Sequence, residues 1–203
     1  MKNRCFWVTD SPLYQNYHDN EWGVPVFDDA TLFEFLVLET FQAGLSWITI
    51  LNKRENFRIA FDQFDYKKIA IYSESKVASL LNDKAIIRNK LKIRSTIINA
   101  QLFIAIQNDY GSFSKYIWSF VDHKPIINNF QSKQDVPATT GLSDQISRAL
   151  KKKGFKFVGS TLVYAFMQAI GMVNDHTMDC FKHINNAPIK DSLKKCQCNS
   201  ISI

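Results

Sequence analysis

The chain has 203 residues, 46% of them apolar and 22% charged, a balance typical of a soluble globular protein with a sizeable core. A chain of this length and composition does not need disulfide bonds in order to fold. No apolar run approaches the ~18 residues of a membrane-spanning helix, and the N-terminus lacks the apolar segment of a signal peptide. We therefore expect a cytoplasmic protein that acts without a membrane partner.

The formal net charge of +6 is unevenly distributed along the chain. Residues 84–108 contain five basic residues and no acidic one, and residues 145–174 contain another five with no acidic one. Two such stretches suit a surface that faces phosphate groups. Two solvated helix faces would explain the same charge pattern.

The chain reads as a series of helices joined by short turns, because no strand-like alternation of apolar and polar residues exceeds about five residues. Asp28 is a favourable N-cap for a helix over residues 28–43, and Gly44 ends this helix. A second helix over residues 46–61 carries an apolar stripe that begins at Trp47.

More helices follow along the rest of the chain. We predict them over residues 73–81, 89–108, 113–120, 142–153 and 160–172. Ser143 is expected to cap the helix over residues 142–153, and residues 125–141 are expected to form a polar loop. We expect residues 1–186 to form a single all-α domain of two closely packed lobes, and residues 187–203 to form a poorly ordered tail.

One carboxylate interrupts the apolar face of the helix over residues 28–43. Glu39 lies three and four residues after Leu36 and Phe35, where a helix would place another apolar side chain. A buried carboxylate is unfavourable unless it is paired or bound to a cation, so Glu39 is a candidate site residue. An ion pair with Arg54, on the stripe of the next helix, or a backbone cap within the core would also explain it.

The turn that follows this helix, residues 42–46, places Leu45 at its tip. An apolar side chain exposed at such a tip could act as a wedge that separates stacked bases. The same leucine could equally make a buried contact that caps the helix.

Aromatic residues are dense near the N-terminus, in segments with little helical periodicity. They are Trp7, Tyr14, Tyr17 and Trp22, and Trp47 follows in the second predicted helix. Aromatic clusters usually belong to a core, but flat rings also stack on an extruded base and attract cations through their faces. These residues are therefore candidates for a base-binding pocket.

Residues 149–161 (ALKKKGFKFVGST) contain a short apolar turn that two glycines bracket, between two predicted helices. Glycine leaves the backbone uncovered, so Gly154 and Gly159 would let amide groups at the start of the following helix face outward. These amides, the helix dipole and the nearby Lys152 and Lys156 would hold a DNA phosphate without reading sequence. A plain helical hairpin with glycine at its bends is the other interpretation.

Side chains that bind metals occur near both ends of the chain. The candidates are Cys5, His18, His176 and Cys180. A helix would place the last two on one face, and the first two could complete a tetrahedral Cys2His2 set, although the spacings H-x3-C and C-x12-H are weak patterns. In a chain without an export signal, cysteines are expected to be thiols or metal ligands, and we regard Cys196 and Cys198 as incidental.

Several of these residues lie in longer stretches that match a known family. The stretches are R-C-x-W at residues 4–7, YHDNEWGVP at 17–25, LE-x-x-QAGLSW at 38–47, KRENFR at 53–58, WSFV at 118–121, LKKKGFKFVG at 150–159 and VNDH at 173–176. In their order and spacing they resemble the bacterial 3-methyladenine DNA glycosylase I family, part of the helix-hairpin-helix glycosylase superfamily. The resemblance covers about residues 1–181.

This resemblance implies an all-α helix-hairpin-helix glycosylase fold with a structural zinc ion that ties the N-terminal segment to the end of the domain. The implied zinc ligands are Cys5, His18, His176 and Cys180. The implied base pocket contains the catalytic Glu39 against the damaged base, walls formed by Tyr17 and Trp47, and a lining of Trp7, Tyr14 and Trp22. Two features depart from the family: Thr40-Phe41 stands where Gly-Gln is common, and the tail beyond residue 186 matches no family segment.

The resemblance also implies a monomeric enzyme that binds double-stranded alkylated DNA and hydrolyses the bond between 3-methyladenine and its sugar. The predicted helix from residue 160 has no acid before Asp175, which adjoins a candidate metal ligand and could serve only to support that ligand. We therefore expect that no dedicated aspartate attacks or shields the sugar during the reaction. No lysine stands where lyase-active relatives have one, so we expect a monofunctional glycosylase that leaves an abasic site.

Two other functions stay open on the sequence. A non-catalytic DNA-binding module would use residues 149–161 alone and would leave Glu39 and the aromatic residues in the core. A zinc hydrolase or deaminase would need three protein ligands, an open coordination position and a nearby general base. Four candidate ligands and the lack of an H-x-E sequence argue against that second class.

Overall fold

The computed structural model describes residues 2–183 and 185–186 and is mostly helical. Its α-helices are α1 (Pro12–Asn20), α2 (Asp29–Gln42), α3 (Trp47–Leu51), α4 (Arg54–Ala60), α5 (Tyr66–Ile69), α6 (Glu74–Asn82), α7 (Lys90–Tyr110), α8 (Phe113–Trp118), α9 (Gly141–Lys152) and α10 (Ser160–Ala169). Two short strands, β1 (Ile126–Ile127) and β2 (Val173–Asn174), pair in parallel. In the part of the chain described, no helix is long and apolar enough to cross a membrane. The tail predicted over residues 187–203 lies outside the described residues.

Local sequence signals set several helix boundaries as predicted. Asp28 caps α2, because its carboxylate accepts a hydrogen bond from the Thr31 N–H at 2.8 Å. Gly44 has a left-handed backbone (φ 86°) shortly after the same helix ends. Helix α7 begins after the Asn89 cap as predicted, but it extends two residues past the predicted end to Tyr110 and stops before Gly111, whose φ is 85°.

Several predictions about helix boundaries are wrong. The helix predicted over residues 46–61 is divided into α3 and α4 by a turn, where the Lys53 side chain donates to the Ala85 carbonyl at 2.9 Å. The cap of α9 is Thr140 rather than Ser143, because the two form a capping box: the Ser143 N–H donates to Thr140 Oγ1 and the Thr140 N–H donates to Ser143 Oγ. Ser143 is thus the third residue of the helix.

Some elements were not predicted. Helix α1 begins at Pro12, a helix-start signal, but its largely polar sequence shows no apolar period. The small sheet adds strands to a fold predicted as all-α, and strands of two residues are too short to show alternation. Helix α10 ends before residue 172 because the chain turns at Gly171 (φ 67°), where a Cβ atom would lie 2.3 Å from the backbone of Val24.

Helix α2 lies at the centre of the fold. It packs against α3, α7, α8 and α10, and its residues from Leu32 to Phe41 are buried apart from Glu34. A helix surrounded by other helices needs apolar side chains around its whole circumference. The fold therefore places Glu39, which lies near the end of this helix, in the protein interior.

Candidate functional site

A cavity of about 210 Å³ lies beside the C-terminal half of α2. All six residues predicted for the base pocket line it: Trp7, Tyr14, Tyr17, Trp22, Glu39 and Trp47. They come from the N-terminal segment, α1, the turn after α1, α2 and α3. The fold thus brings together side chains that the sequence places in separate segments.

Aromatic rings form much of the cavity wall. The ring centroid of Trp7 lies 5.0 Å from those of Tyr14 and Trp22, and the centroids of Tyr17 and Trp47 are 5.3 Å apart. Tyr17, Trp22 and Trp47 are buried, whereas Trp7 and Tyr14 are half-buried. Since tight packing fixes these rings, the wall offers preformed flat surfaces on which a planar ligand can stack.

Glu39 is 4% exposed and its carboxyl has no hydrogen-bond donor or cationic partner within residues 2–183 and 185–186. Burial alone raises the pKa of Glu39 to about 8. The alternative of an ion pair with Arg54 is wrong, because Arg54 contacts Glu34 at 2.6 Å and Glu21 at 2.5 Å. A buried, unpaired carboxyl beside a cavity suits a ligand that supplies positive charge or hydrogen-bond donors.

Six more residues line the cavity, and none of them was predicted to belong to a pocket. They are Phe6, Gln42, Val136, Ala165, Gln168 and Asp175. Gln42 follows Glu39 by three positions on α2, so helical spacing could have identified it. Val136 belongs to a loop that reaches the cavity only through tertiary packing, and no local pattern predicts that.

Asp175 belongs to the cavity wall, so the interpretation in which it serves only to support a metal ligand is wrong. Its carboxylate lines the cavity and accepts hydrogen bonds from Asn128 Nδ2 at 2.7 Å, Tyr164 Oη at 2.6 Å and Gln168 Nε2 at 2.7 Å. Three donors from different segments fix this carboxylate as part of the wall.

A second cluster contains the four predicted metal ligands, Cys5, His18, His176 and Cys180. All four are buried, and their ligand atoms lie within 4.8 Å of one another. Cys5 Sγ is 3.4 Å from His176 Nδ1, and Cys180 Sγ is 3.4 Å from His18 Nε2 and 3.5 Å from His176 Nδ1. Sulfur and nitrogen ligands of a tetrahedral zinc ion lie about 3.6 Å apart, given typical bond lengths. The cluster could therefore hold a tetrahedral metal ion.

The outer nitrogens of both histidines have partners that orient the rings. His18 Nδ1 lies 2.8 Å from Asp19 Oδ1, and Arg4 donates two hydrogen bonds to the same carboxylate. His176 Nε2 lies 3.2 Å from the carbonyl oxygen of Trp22. Such contacts hold the inner nitrogens toward a metal, and the second one links the cluster to a residue of the cavity wall.

The pKa values of the two cysteines are shifted in opposite directions. The neighbouring Cys5 thiol lowers the pKa of Cys180, with smaller contributions from His176 and His18, whereas Cys180 and burial raise the pKa of Cys5. A thiolate is the form of cysteine that binds a metal. Residues 177–180 form a turn and not a helix, since the Cys180 N–H donates to the Thr177 carbonyl at 2.8 Å.

The helices α9 and α10 pack together as a hairpin, and the residues between them, 153–159, form the α9–α10 turn. Gly154 has a left-handed backbone (φ 101°), as its position at a bend requires. The second left-handed residue is Phe157 (φ 54°) and not Gly159, which is the N-cap of α10.

The start of α10 is open to an anion. Lys152, Lys156 and Gly159 are exposed. The N–H groups of Gly159 and Ser160 have no acceptor in the part of the chain that is described. Free amides at a helix N-terminus with lysines beside them favour a negatively charged group.

Leu45 lies at the tip of the α2–α3 turn and is 40% exposed. The Leu45 N–H donates to the Gln42 carbonyl at 2.6 Å, which closes the turn. The alternative in which this side chain makes a buried capping contact is therefore wrong, and the leucine is available to a partner.

The basic stretch over residues 84–108 is only partly a surface. Lys84, Arg88 and Lys90 are exposed. Lys92 is buried and donates to the Phe41 and Ala43 carbonyls at the C-terminal end of α2, at 2.9 and 2.7 Å. It therefore stabilises a helix end and does not face phosphate.

Comparisons with known proteins agree with this geometry. A family model for methyladenine glycosylases matches residues 7–183. DNA-3-methyladenine glycosylase 1 of Escherichia coli is 49% identical over 185 residues, which cover 91% of this chain and 99% of that protein. A crystal structure of a 3-methyladenine DNA glycosylase I matches with a TM-score of 0.87 at 51% identity and covers 89% of this chain and 100% of its own.

A second solved structure, a point variant of such a glycosylase in complex with 3-methyladenine, matches with a TM-score of 0.85 at 37% identity. It covers 88% of this chain and 96% of its own. Because the family model spans most of the chain and the Escherichia coli relative is similar over almost its whole length, the chain belongs to the methyladenine glycosylase family.

Proposed function

We propose that this protein removes 3-methyladenine from alkylated double-stranded DNA by hydrolysing the N-glycosidic bond. Family membership supports the reaction, because the Escherichia coli relative is named for this activity and a similar solved protein holds 3-methyladenine. The observation that carries the proposal is the unpaired carboxyl of Glu39, buried beside a cavity with aromatic walls.

Glu39 would distinguish the alkylated base by its charge. Methylation at N3 makes adenine cationic, whereas normal adenine is neutral. With a pKa of about 8, Glu39 is mostly protonated in the empty cavity at neutral pH, and a nearby cation would favour its ionised form. In a pocket from which water is excluded, that attraction is strong, and a neutral base does not receive it.

The aromatic wall would hold the extruded base in place. Tyr17 and Trp47 are proposed to form the pocket, and Trp7, Tyr14 and Trp22 are proposed to line it. Stacking of this kind contributes roughly 1–3 kcal/mol per base, and aromatic faces also attract a cationic ring. The wall thus adds affinity for the same charged base that Glu39 selects.

Extrusion of the base would use the exposed features beside the cavity and at the α9–α10 turn. Unstacking a nucleotide costs a few kcal/mol. Leu45 is proposed as the wedge that fills the gap in the duplex. Gly154, Gly159, Lys152 and Lys156 are proposed to hold the phosphate backbone in a helix-hairpin-helix interaction that does not read sequence.

We infer that the Cys2His2 cluster binds zinc in a structural role. Two thiolates and two imidazoles are the donors that zinc prefers, and four protein ligands leave no open position for a substrate or a water molecule. When bound, the ion would cross-link the N-terminal segment to the chain after α10. His18 adjoins Tyr17 in sequence and His176 contacts the Trp22 carbonyl, so the same ligands would steady two residues of the pocket.

The chemical step would need little help from the protein, because a cationic base is already a good leaving group. Although Asp175 lines the cavity, three donors already hold its carboxylate, and we therefore propose that it does not react at the sugar. With no lysine nucleophile proposed, water completes the reaction and an abasic site remains. The enzyme would then be a monofunctional glycosylase.

Release of free 3-methyladenine from methylated duplex DNA tests this function. The wild-type protein is expected to release it, and Glu39→Gln is expected to slow single-turnover release on the order of 100-fold, equivalent to about 2.7 kcal/mol of transition-state stabilisation. Affinity for undamaged duplex should change little. Glu55→Gln, on the exposed surface of α4, is the matched control and should release the base at the wild-type rate.

Each alternative function gives a different result. If Glu39→Gln releases the base at the wild-type rate, Glu39 does not take part in the reaction. Binding of DNA without any free base would identify a non-catalytic DNA-binding module. Loss of activity on chelation, with the fold retained, would favour a metal-dependent hydrolase.

A further inference from the structure

The long helix α7 contacts the α9–α10 turn through one buried carboxamide. Asn99 is 2% exposed and lies near the middle of α7. Its Nδ2 donates to the Lys156 carbonyl at 3.0 Å, and the Lys156 N–H donates to its Oδ1 at 2.8 Å. The side chain therefore satisfies both backbone groups of one residue in the turn, as a paired strand would.

The residue after this contact has an unfavourable backbone conformation. Phe157 has a φ of 54°, in the left-handed region that residues with bulky side chains rarely adopt. Its ring is 38% exposed, so burial of the ring does not by itself hold the conformation. On the other side of Phe157, Ser147 Oγ donates to the Val158 carbonyl at 2.6 Å. Hydrogen bonds from α7 and α9 thus fix the backbone on both sides of Phe157.

This conformation determines where the next amide groups point. Gly159 and Ser160 follow directly, and their N–H groups have no acceptor within the described ranges. If the backbone at Phe157 relaxed to a negative φ, the start of α10 would no longer be held in its present direction relative to Lys156. The presentation of these amides therefore depends on a contact from a different helix.

We propose that Asn99 is a positioning residue for DNA binding, which holds the α9–α10 turn in the conformation that presents its amides to a DNA phosphate. The inference rests on the proposed function of that turn. It assigns α7 to the DNA-binding unit through a side chain that does not itself touch DNA.

The test compares Asn99→Ala with Thr96→Ala. Thr96 is equally buried on α7, one turn earlier, and its hydroxyl donates to the Lys92 carbonyl of its own helix. Asn99→Ala should raise the dissociation constant for undamaged duplex about tenfold. It should also raise the protein concentration that gives half-maximal excision, and leave the maximal single-turnover rate and the binding of free 3-methyladenine unchanged. Thr96→Ala should match wild type in all four measurements.

A second variant separates positioning from general packing. Glycine adopts a positive φ without steric cost, so Phe157→Gly added to Asn99→Ala should recover most of the affinity. Ser147→Ala, which removes the hydrogen bond on the other side of Phe157, should weaken DNA binding in the same way and covers the case in which Asn99→Ala does not fold.

Three results would overturn the proposal: DNA affinity unchanged in Asn99→Ala and Ser147→Ala, equal reductions of affinity in Asn99→Ala and Thr96→Ala, or no recovery with Phe157→Gly. Failure of the proposed function has a different signature, because wild-type protein would then release no 3-methyladenine whatever the affinity of these variants for DNA.

Discussion

The carboxyl of Glu39 lowers the stability of the free protein while it creates the site. The ordinary pKa of a glutamate, 4.5, rises to about 8 in the fold because the group is buried without a partner. The folded state therefore keeps a proton that the unfolded chain releases as the pH rises through the ordinary value. Deprotonation in the fold is costly, so the group destabilises the protein at alkaline pH.

This linkage predicts the pH dependence of stability. As the pH rises from about 4.5 to about 8, the free energy of unfolding should fall by a few kcal/mol because of this residue, and then level off. Glu39→Gln cannot ionise and should escape that decrease. In urea unfolding at about pH 5, wild type and Glu39→Gln should be nearly equal in stability. At about pH 9, Glu39→Gln should be the more stable of the two. A stability difference that does not change with pH would mean that Glu39 has a partner or is hydrated.

The sequence identified Glu39 because a single polar residue on an apolar helical face is a local signal. It identified the aromatic residues by their density alone. Val136 and Gln168 could not be found in this way, because they reach the cavity only through the packing of a loop and of α10 around α2. Local patterns name residues that are unusual in their own element, whereas the remainder of a pocket depends on how the elements pack.

At the scale of the element, local signals predicted the limits of α2, whereas the predicted Ser143 cap of α9 was wrong because Thr140 holds that position. Asp28 and Gly44 bound α2 as the sequence indicated. The division of the predicted helix over residues 46–61 was not predictable, because a contact from Lys53 to a distant carbonyl accompanies it. The left-handed Phe157 was also unpredictable, since a phenylalanine gives no signal for a conformation that other helices impose.

The α9–α10 turn allows a direct test of the proposed interactions with phosphate. Lys152→Ala and Lys156→Ala should each weaken binding to undamaged duplexes of any sequence and reduce the slope of log affinity against log salt by about 0.9 for each phosphate that the variant no longer neutralises. Both lysines are exposed, and the Lys156 backbone that Asn99 contacts is unchanged by the substitution. Fluorescence anisotropy over a range of salt concentrations measures both effects.

Lys67→Ala is the control for this experiment, because Lys67 is exposed on α5 and lies outside both basic stretches. Its salt slope should equal that of wild type. An unchanged slope for both Lys152→Ala and Lys156→Ala would mean that neither side chain approaches the DNA backbone.

For the whole molecule, the Cys2His2 cluster joins the two ends of the described chain. Cys5 and His18 lie before α2, whereas His176 and Cys180 follow the last helix. Between these ends the cavity wall is assembled from the N-terminal segment, α1, α2, α3 and α10. The N-terminal segment and α1 supply the rings of Trp7, Tyr14 and Tyr17. Because the same two segments carry Cys5 and His18, a bound metal would also hold this part of the wall in place.

Removal of one ligand should therefore affect the pocket as well as the stability. In Cys5→Ser we expect the bound zinc, about one ion per chain in wild type, to be absent, and the melting temperature to fall by about 6–12 °C for a destabilisation of about 3 kcal/mol. Affinity for free 3-methyladenine should fall with it, because Trp7 and Tyr14 would lose their anchor, while the salt slope of DNA binding through the distant α9–α10 turn should persist. Cys196→Ser keeps all four ligands and should match wild type in zinc content, melting temperature and base affinity. If Cys5→Ser bound no metal and kept full affinity for the base, the wall would be held by the packing of its rings alone, and the cluster would contribute to stability without shaping the site.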